Sequence, residues 1–219
     1  MKRFHALHQA LALLAGLLLL TGAFAADPAE EGTDYARVSK PVQVETGRQI
    51  EVVEFFWYRC PHCNQLEPAL EAWVRKLPPD VKFRPVPAVL NPSWLPAAKL
   101  HYALTDMGAL DRLHGKVFDA YHKDKLDLDD EDVLLGWIKK QGLDEARFKM
   151  AYNSFSTQTR AMKGTQAARN AGITGVPALM VDGKYITAVS MTFTEERLFE
   201  VLDQLVQRAR KERGGKSAK

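Results

Sequence analysis

The sequence predicts an α/β fold in which one sheet domain is interrupted by an all-helical insertion. Residues 50–86 have a strand–helix–strand pattern and residues 177–206 a strand–strand–helix pattern, while the long segment between them has helical spacing. The chain has 219 residues, of which 46% are hydrophobic, so it is long and apolar enough to bury a substantial core. This composition argues against a disordered or low-complexity chain.

These patterns also predict the domain organisation. The first part of the sheet domain is expected at residues 26–91, and the helical insertion at residues 92–171. The second part of the sheet domain, with a basic C-terminal tail, is expected at residues 172–219. The elements of one domain pack around one core, so we expect the two sheet segments to meet in space.

The first segment, residues 1–25, is typical of a secretory signal. Lys2 and Arg3 begin it, an apolar run follows over residues 11–20, and an alanine–x–alanine cleavage site ends at Ala25. The apolar run is too short to span a bilayer, so cleavage is favoured over the alternative of a retained membrane anchor. Export would bring the chain into an oxidising bacterial periplasm. The mature chain has a net charge of about +1, which argues against nucleic-acid binding.

The first strand is predicted at residues 50–57, a β-branched and aromatic run. Its near-continuous apolarity is typical of a strand that is buried on both faces. The motif Cys60-Pro61-His62-Cys63 follows, and a helical pattern then continues as far as Pro78. Pro61 fits the first position of this helix, where its missing N–H has no helical partner. A second strand is predicted at residues 81–86.

Apolar residues at helical spacing predict four helices in the insertion, around residues 110–121, 133–138, 144–152 and 157–171. Two further strands are predicted at residues 177–181 and 184–188, with Asp182-Gly183 as the hairpin turn between them. The last helix has an apolar face over residues 198–206.

Both ends of the mature chain are expected to be loosely held. Residues 27–41 are polar and form an arm ahead of the first strand. The basic residues after position 207 are expected to form a solvated, frayed tail, with binding to a membrane surface as the alternative.

The chain has two cysteines, Cys60 and Cys63, and they lie three positions apart. A disulfide between them closes a loop too short to stabilise the fold much, so a chemical role is favoured. A zinc site would need two more ligands, and a c-type haem site would need histidine where Asn64 stands. The N–H groups at the start of a helix stabilise an anion there, so Cys60 is expected to be the exposed, reactive thiol. Cys63, one turn inside, is expected to be covered.

Two further side chains are expected to tune this pair. His62 lies between the cysteines and can donate toward a Cys60 thiolate, lowering its pKa, although it could also be an ordinary exposed histidine. Glu54 lies inside the apolar first strand, where an unpaired carboxylate is costly. A buried acid at this position could accept the proton of Cys63. The alternative is a carboxylate at the strand end that reaches water, and Lys82 could pair with it in either case.

The segment before the third strand contains Val176 and Pro177. A cis bond between them would expose the backbone of Val176 to an extended peptide, although cis bonds are uncommon even before proline. His101, His114 and His122 lie on helical patterns without a chemical neighbour, so we expect them to be structural.

Together these residues resemble the DsbA family of periplasmic thiol:disulfide oxidants. The resemblance rests on residues 54–63, on Gly175-Val176-Pro177-Ala178 and on Asp182-Gly183-Lys184-Tyr185, and it covers nearly the whole mature chain. It implies a thioredoxin fold with a helical insertion and a cis bond before Pro177. The family often has a lysine opposite the buried acid, and an ungapped alignment places Pro85 there instead.

The resemblance also implies how the site works. Cys60 would form the mixed disulfide with the substrate, in a motif with Pro61, His62 and Cys63, and Glu54 would be the buried acid. The substrates would be unfolded secreted proteins. A DsbB-like, quinone-linked membrane protein would reoxidise the enzyme. Apart from the resemblance, we expect a monomer with no metal and no cofactor beyond its redox-active disulfide.

Three functions remain in competition at this point. The sequence favours a dithiol oxidase for secreted proteins. A disulfide isomerase or reductase would need a partner that keeps the dithiol reduced, and often a dimerisation module, which is not visible here. A chaperone that binds peptides at Val176-Pro177 would use no disulfide chemistry.

Overall fold

The computed structural model describes residues 27–216, so the predicted signal segment, residues 1–25, lies outside the described residues. Its centre is a five-stranded sheet of order β1-β5-β4-β2-β3, in which β2 and β3 are parallel and the other neighbours antiparallel. The strands are β1 (Ala36–Arg37), β2 (Ile50–Phe56), β3 (Val81–Pro87), β4 (Ala178–Val181) and β5 (Tyr185–Thr187).

Helices join and cover the strands. A 3₁₀ turn at Pro92–Trp94 precedes the helices between β3 and β4. The helices are α1 (Pro61–Val74), α2 (Leu95–Asp106), α3 (Leu110–His122), α4 (Glu131–Lys140), α5 (Glu145–Tyr152), α6 (Phe155–Asn170), α7 (Val189–Thr192) and α8 (Glu195–Lys216). None of the helices within residues 27–216 combines the length and apolarity that a membrane crossing requires.

The predicted α/β arrangement is confirmed, because strands from both ends of the chain form one sheet and a run of helices separates them. Helix α2 was given no bounds in the sequence analysis, which only placed His101 on a helical pattern. Its sequence has weak helical signals, with Pro96 and several small residues, but a proline near a helix start occupies a position whose N–H has no helical partner. The short helix α7 was not predicted.

Strand β2 is the centre of the core, and all seven of its residues are buried. Ile50 and Val52 belong to a core cluster with residues of α1 and α8. Val53 and Phe55, on the opposite face, pack in a cluster with residues of α6. Residues alternate between the two faces of a strand, so burial on both faces explains the continuous apolar run in the sequence.

The N-terminal arm is held firmly, which corrects the expectation of a loose segment. The Arg197 guanidinium of α8 donates to the Asp34 carboxylate at 2.6 Å and to the carbonyl oxygens of Asp27 and Pro28 at 2.7 and 3.0 Å. Tyr35 and Val38 of the arm are also buried in the core, so these contacts and the arginine together anchor a segment whose overall polarity misled the prediction.

The expectation of a frayed basic tail is also wrong over the described residues, since α8 continues to Lys216. Arg210 binds the Asp80 carboxylate through two N–H groups, at 2.6 and 2.9 Å. Arg213 binds Asp182 in the β4–β5 turn, and Arg208 donates to the Tyr35 hydroxyl. The arginines near the end of α8 therefore stabilise the fold by binding Asp80, Asp182 and the Tyr35 hydroxyl.

The β4–β5 turn depends on a glycine. Gly183 has a φ of +66°, and a Cβ placed there would overlap the carbonyl oxygen of Val42. Gly47 has nearly the same backbone, with a φ of +63°, but open space around the position of a Cβ. Alanine would be strained by the backbone at both positions, but it would overlap a neighbouring atom only at position 183.

We expect Gly183→Ala to lower the free energy of unfolding by at least about 2 kcal/mol, because overlap with Val42 adds to the strain of a left-handed residue. Gly47→Ala is the matched control and should cost about 1 kcal/mol, from strain alone. Urea unfolding of both variants measures the difference. Equal losses would show that the approach of Val42 does not constrain the turn.

Candidate active site

The two cysteines lie where β2 passes into α1. Cys60 is the residue that caps the helix, with an extended backbone, and Pro61 is its first residue. The Cys60 N–H donates to the Trp57 carbonyl at 2.9 Å, and the Asn64 N–H donates to the Cys60 carbonyl at 3.1 Å. Strand β2 is buried in the middle of the sheet, so the motif is presented by a rigid element.

The two thiols differ in their surroundings. Both are free in this structure; Cys60 is 7% exposed and Cys63 is completely buried. Cys60 is thus the more accessible thiol, as expected, but it is far less exposed than a surface residue. Its Sγ lies 3.5 Å from the carbonyl oxygen of Val176, which covers it from the other side of the site.

The pKa values of the two thiols shift in opposite directions. The hydrogen bond from the Cys63 thiol lowers the pKa of Cys60 to about 6, and the backbone N–H groups of Cys63 and His62 and the charge of His62 add to this effect. Burial raises the pKa of Cys63, and the Cys60 sulfur and the Glu54 carboxylate raise it further. Only the Cys60 thiolate is therefore well populated at neutral pH.

The segment before β4 forms the opposite wall of the site. The peptide bond between Val176 and Pro177 is cis, as the resemblance implied. Both residues line a groove of about 580 Å³ that also contains His62 and Met191. Phe193, at the rim of the groove, is 82% exposed, and no sequence pattern indicates it. The site can therefore hold an extended, partly apolar chain beside Cys60.

Glu54 is buried under the thiols, with 0% of its surface exposed, and neither carboxyl oxygen has a hydrogen-bond partner among the described residues. Burial raises the pKa of Glu54, and the Glu67 carboxylate and the Cys60 sulfur raise it further. The alternative of a strand-end carboxylate that reaches water is therefore wrong for this chain.

The predicted pairing of Glu54 with Lys82 is also wrong. Lys82 is exposed, and Pro85 is the β3 residue that pairs with Glu54 in the sheet. Lys82 is three residues before Pro85, and successive strand residues point to opposite faces, so Lys82 faces away from Glu54. Arg84 also belongs to the other face, where its Nε donates to the Glu51 carboxylate at 2.5 Å.

The sequence did not single out two residues near Glu54. Glu67 is buried in α1, one helical turn after Cys63, and this i+4 spacing could have indicated it. The His114 Nε2 lies 3.4 Å from the Glu67 Oε1. The expectation of a structural role for His122 agrees with its contact, because its Nε2 lies 2.8 Å from the Tyr58 carbonyl oxygen.

The chain is similar to known proteins over most of its length. A family model described as a DSBA-like thioredoxin domain matches residues 51–206. The thiol:disulfide interchange protein DsbA of Bordetella pertussis is 37% identical over 201 residues, which cover 91% of this chain and 96% of that protein. DsbA of Pseudomonas syringae pv. tomato is 34% identical over 199 residues, covering 91% of this chain and 93% of that protein.

Solved structures give the same result. The crystal structure of Pseudomonas aeruginosa DsbA has a TM-score of 0.81 at 33% identity and covers 86% of this chain and 98% of that chain. The oxidoreductase NmDsbA1 of Neisseria meningitidis has a TM-score of 0.74 at 31% identity and covers 84% of this chain and 96% of that chain. The thioredoxin fold with a helical insertion, which the resemblance implied, is thereby confirmed.

We expect His62→Ala to raise the pKa of Cys60 from about 6 by at most about one unit, because the backbone donors remain in place. The reduction potential should fall by up to about 30 mV, since a less stable thiolate disfavours the reduced protein. Thiolate absorbance against pH and a glutathione equilibrium measure the two quantities. A shift in one without the other would contradict a role of His62 in stabilising the thiolate.

We expect Glu54→Gln to raise the free energy of unfolding at pH 7 by about 1–3 kcal/mol, because unfolding at this pH releases the proton that burial keeps on Glu54, and glutamine has no such proton. The contribution of a carboxyl whose pKa is raised on folding is complete below its unfolded pKa of 4.5 and is lost as the pH rises from there through the folded pKa. The gain should therefore vanish near pH 4. Urea unfolding across this range measures it, and a gain independent of pH would contradict the burial of an ionisable group.

Proposed function

Because the chain belongs to the DsbA family of thiol:disulfide oxidoreductases, we propose that it donates its Cys60–Cys63 disulfide to newly exported proteins through a mixed disulfide at Cys60. The main support for this proposal is that the pKa of Cys60 is lowered and the pKa of Cys63 is raised. A stabilised Cys60 thiolate favours the reduced protein, so its disulfide is a strong oxidant. A thiolate with a low pKa is also a good leaving group.

The proposed reaction has two exchanges. A substrate thiolate attacks the Cys60 Sγ, the Cys60–Cys63 bond breaks, and the Cys63 sulfur leaves with the electron pair. A second substrate thiolate then attacks the substrate sulfur of the mixed disulfide, and Cys60 leaves as a thiolate. The substrate loses two electrons and two protons overall, while the protein becomes a dithiol with Cys60 ionised and Cys63 protonated.

In this proposal Glu54 handles the proton of Cys63. The raised pKa of Cys63 means that its sulfur must take up a proton soon after it leaves, and protonated Glu54 is the buried acid beneath it. In the reverse exchange, the Glu54 carboxylate takes that proton back and allows Cys63 to attack.

Val176 and Pro177 are proposed to bind the substrate. The Val176 carbonyl oxygen faces the Cys60 sulfur and lies on the groove, so an extended substrate chain could pair with this backbone in the way of an added strand. Hydrogen bonds between backbones do not depend on the side chains of the substrate, which suits an enzyme that accepts many unfolded proteins.

The reduced protein must lose two electrons before it can act again. The chain contains no cysteines beyond Cys60 and Cys63, so an oxidant outside this chain has to accept these electrons. We propose a DsbB-like membrane protein linked to quinone, and a periplasmic location, from the family and from the signal pattern of residues 1–25. The enzyme is proposed to act as a monomer and to need no metal and no bound cofactor.

The decisive experiment mixes the oxidised protein with a reduced peptide that contains two cysteines. We expect stoichiometric peptide oxidation and an equilibrium with glutathione that lies far toward the reduced protein. A potential near the roughly −270 mV of thioredoxin would contradict the oxidase and favour a reductase. Peptide binding without oxidation would favour a chaperone.

Two variants give matched controls. Cys63→Ser should react with oxidised glutathione and remain as the mixed disulfide. The Cys60 thiolate is still present as the nucleophile, but the thiol that would resolve the mixed disulfide has been removed. Cys60→Ser should react far more slowly at neutral pH, because Cys63 is buried and its pKa is raised. Mass spectrometry after an acid quench distinguishes the products, and equal reactivity of the two variants would contradict the assigned roles.

A further inference from the structure

We propose that the cavity between the sheet and helix α6 binds a small molecule that has one carboxylate and a short apolar body. The inference does not rest on the proposed function, because no residue of this cavity lines the groove beside Cys60. It gives the chain a second binding site, on the sheet face opposite α1.

The α6 cavity has a volume of about 250 Å³ and is bounded by the segment 42–45, the sheet and α6. Its floor is apolar and consists of Val53, Phe55, Val86 and Met180, which belong to the core cluster that α6 covers. Pockets for drug-sized ligands usually measure about 300–1,000 Å³, so this one suits a smaller molecule. Its apolar floor would contact an apolar body.

One wall of the cavity contains Arg160 of α6. Its Nη2 donates to the Asp106 carboxylate at 2.5 Å and to the Tyr102 carbonyl oxygen at 3.3 Å. Its Nε is buried and has no hydrogen-bond partner among the described residues. A buried N–H without a partner costs free energy, so an acceptor in the cavity would stabilise this arginine.

The Tyr102 hydroxyl is a second donor on the cavity. Within residues 27–216 it forms no hydrogen bond, and it lies beside α6, where a Cβ at Gly164 would come within 3.2 Å of it. Burial raises the pKa of Tyr102 to about 12, so the hydroxyl keeps its proton at neutral pH. It can therefore donate to a bound acceptor.

Lys163 supplies positive charge at the mouth of the cavity. It follows Arg160 by three residues, so both side chains lie on one face of α6. Lys163 is exposed, and no described carboxylate pairs with it. A wider cleft of about 450 Å³ continues outward from Lys163 and contains a second exposed lysine, Lys40. The entrance thus attracts an anion.

The carboxylates of the cavity are already paired. The buried Glu51 carboxylate accepts from the Arg84 Nε at 2.5 Å and from the Glu45 N–H at 3.1 Å. The Glu45 carboxylate pairs with the Arg84 Nη1 at 3.0 Å. Because these acceptors are occupied and the unpaired groups are donors, the cavity fits an acceptor better than a cation.

A monocarboxylate matches these groups. Its two oxygens can accept from Arg160 and Tyr102, and its single charge is attracted by Lys163. A phosphate would be repelled more strongly by the two nearby glutamates and has no apolar part to cover the floor. Binding of this kind involves no covalent step and no electron transfer.

The test titrates the oxidised protein with octanoate and follows isotope-labelled methionine methyl groups by NMR. Met180 lies on the floor of the α6 cavity, whereas Met191 lines the groove beside Cys60. Met180→Leu identifies the Met180 signal. We expect this signal to shift with a dissociation constant on the order of 1 mM or below, as for a ligand of about ten non-hydrogen atoms. The Met191 signal should stay in place.

Two further probes separate charge from apolar contact. Octanamide has the same apolar body without the charge, and it should bind at least about tenfold more weakly than octanoate. Inorganic phosphate has charge without the body, and about 10 mM should leave the Met180 signal unchanged. Equal affinities for octanamide and octanoate would overturn the need for an anion, and an equal response to phosphate would overturn the need for an apolar body.

Variants test the donors. Tyr102→Phe keeps the ring but should weaken octanoate binding by about three- to tenfold, through loss of one hydrogen bond. Lys163→Gln should weaken it by about two- to fivefold, as for an exposed charge. Arg169→Gln is the matched control, because it removes an equally exposed charge from α6 but lines neither the cavity nor the outer cleft. It should change the affinity less than about twofold.

Three results would overturn the site. These are a Met180 signal that octanoate does not move at about 10 mM, a Met191 signal that moves as much as the Met180 signal, and an affinity that Tyr102→Phe leaves unchanged. Lys163→Gln should oxidise the two-cysteine peptide as the unmodified protein does. Failure of the unmodified protein to oxidise that peptide would overturn the proposed function and leave the α6 cavity unaffected.

Discussion

Helix α1 stabilises negative charge at its first residues, and this one interaction organises the site. The Cys63 thiol, in the first turn of the helix, donates to the Cys60 sulfur and lowers its pKa, and the backbone N–H groups of Cys63 and His62 add to this effect. The helix can act in this way because β2, buried between β4 and β3, holds its start in place. The same helix carries Cys63 and Glu67 into the interior, so the Cys60 thiolate and the buried acidic groups beneath it are held by one rigid element.

Much of this arrangement could be predicted from the sequence because it is local. The continuous apolar strand, the motif at its end and the helix after it lie within residues 50–74, so their relation is set by short-range geometry. The same reasoning found Glu54, since a carboxylate inside an apolar strand is conspicuous. The cis bond between Val176 and Pro177 does not follow from short-range sequence patterns, and only the family resemblance predicts it.

What could not be predicted depends on packing between distant segments. His114 appeared to be an ordinary helical histidine, because its contact with Glu67 exists only once α3 packs beside α1. Lys82 seemed a natural partner for Glu54, and only the register of β2 and β3 shows that Pro85 stands opposite instead. The arginines of α8 are predicted to form a solvated tail, because the acids that they bind, Asp80 and Asp182, lie more than 30 residues away in sequence.

The order of the strands has a consequence for how the chain folds as it emerges. Strand β2 pairs with β3 on one side, but its other neighbour, β4, begins at Ala178, so more than half of the chain separates the two. Pairings this distant in sequence form slowly, because a long loop must close first. Until β4 arrives, one edge of β2 stays open beside the reactive thiol. Strand β2 can pair with β3 early, but it becomes an interior strand only when the carboxyl end of the chain has arrived.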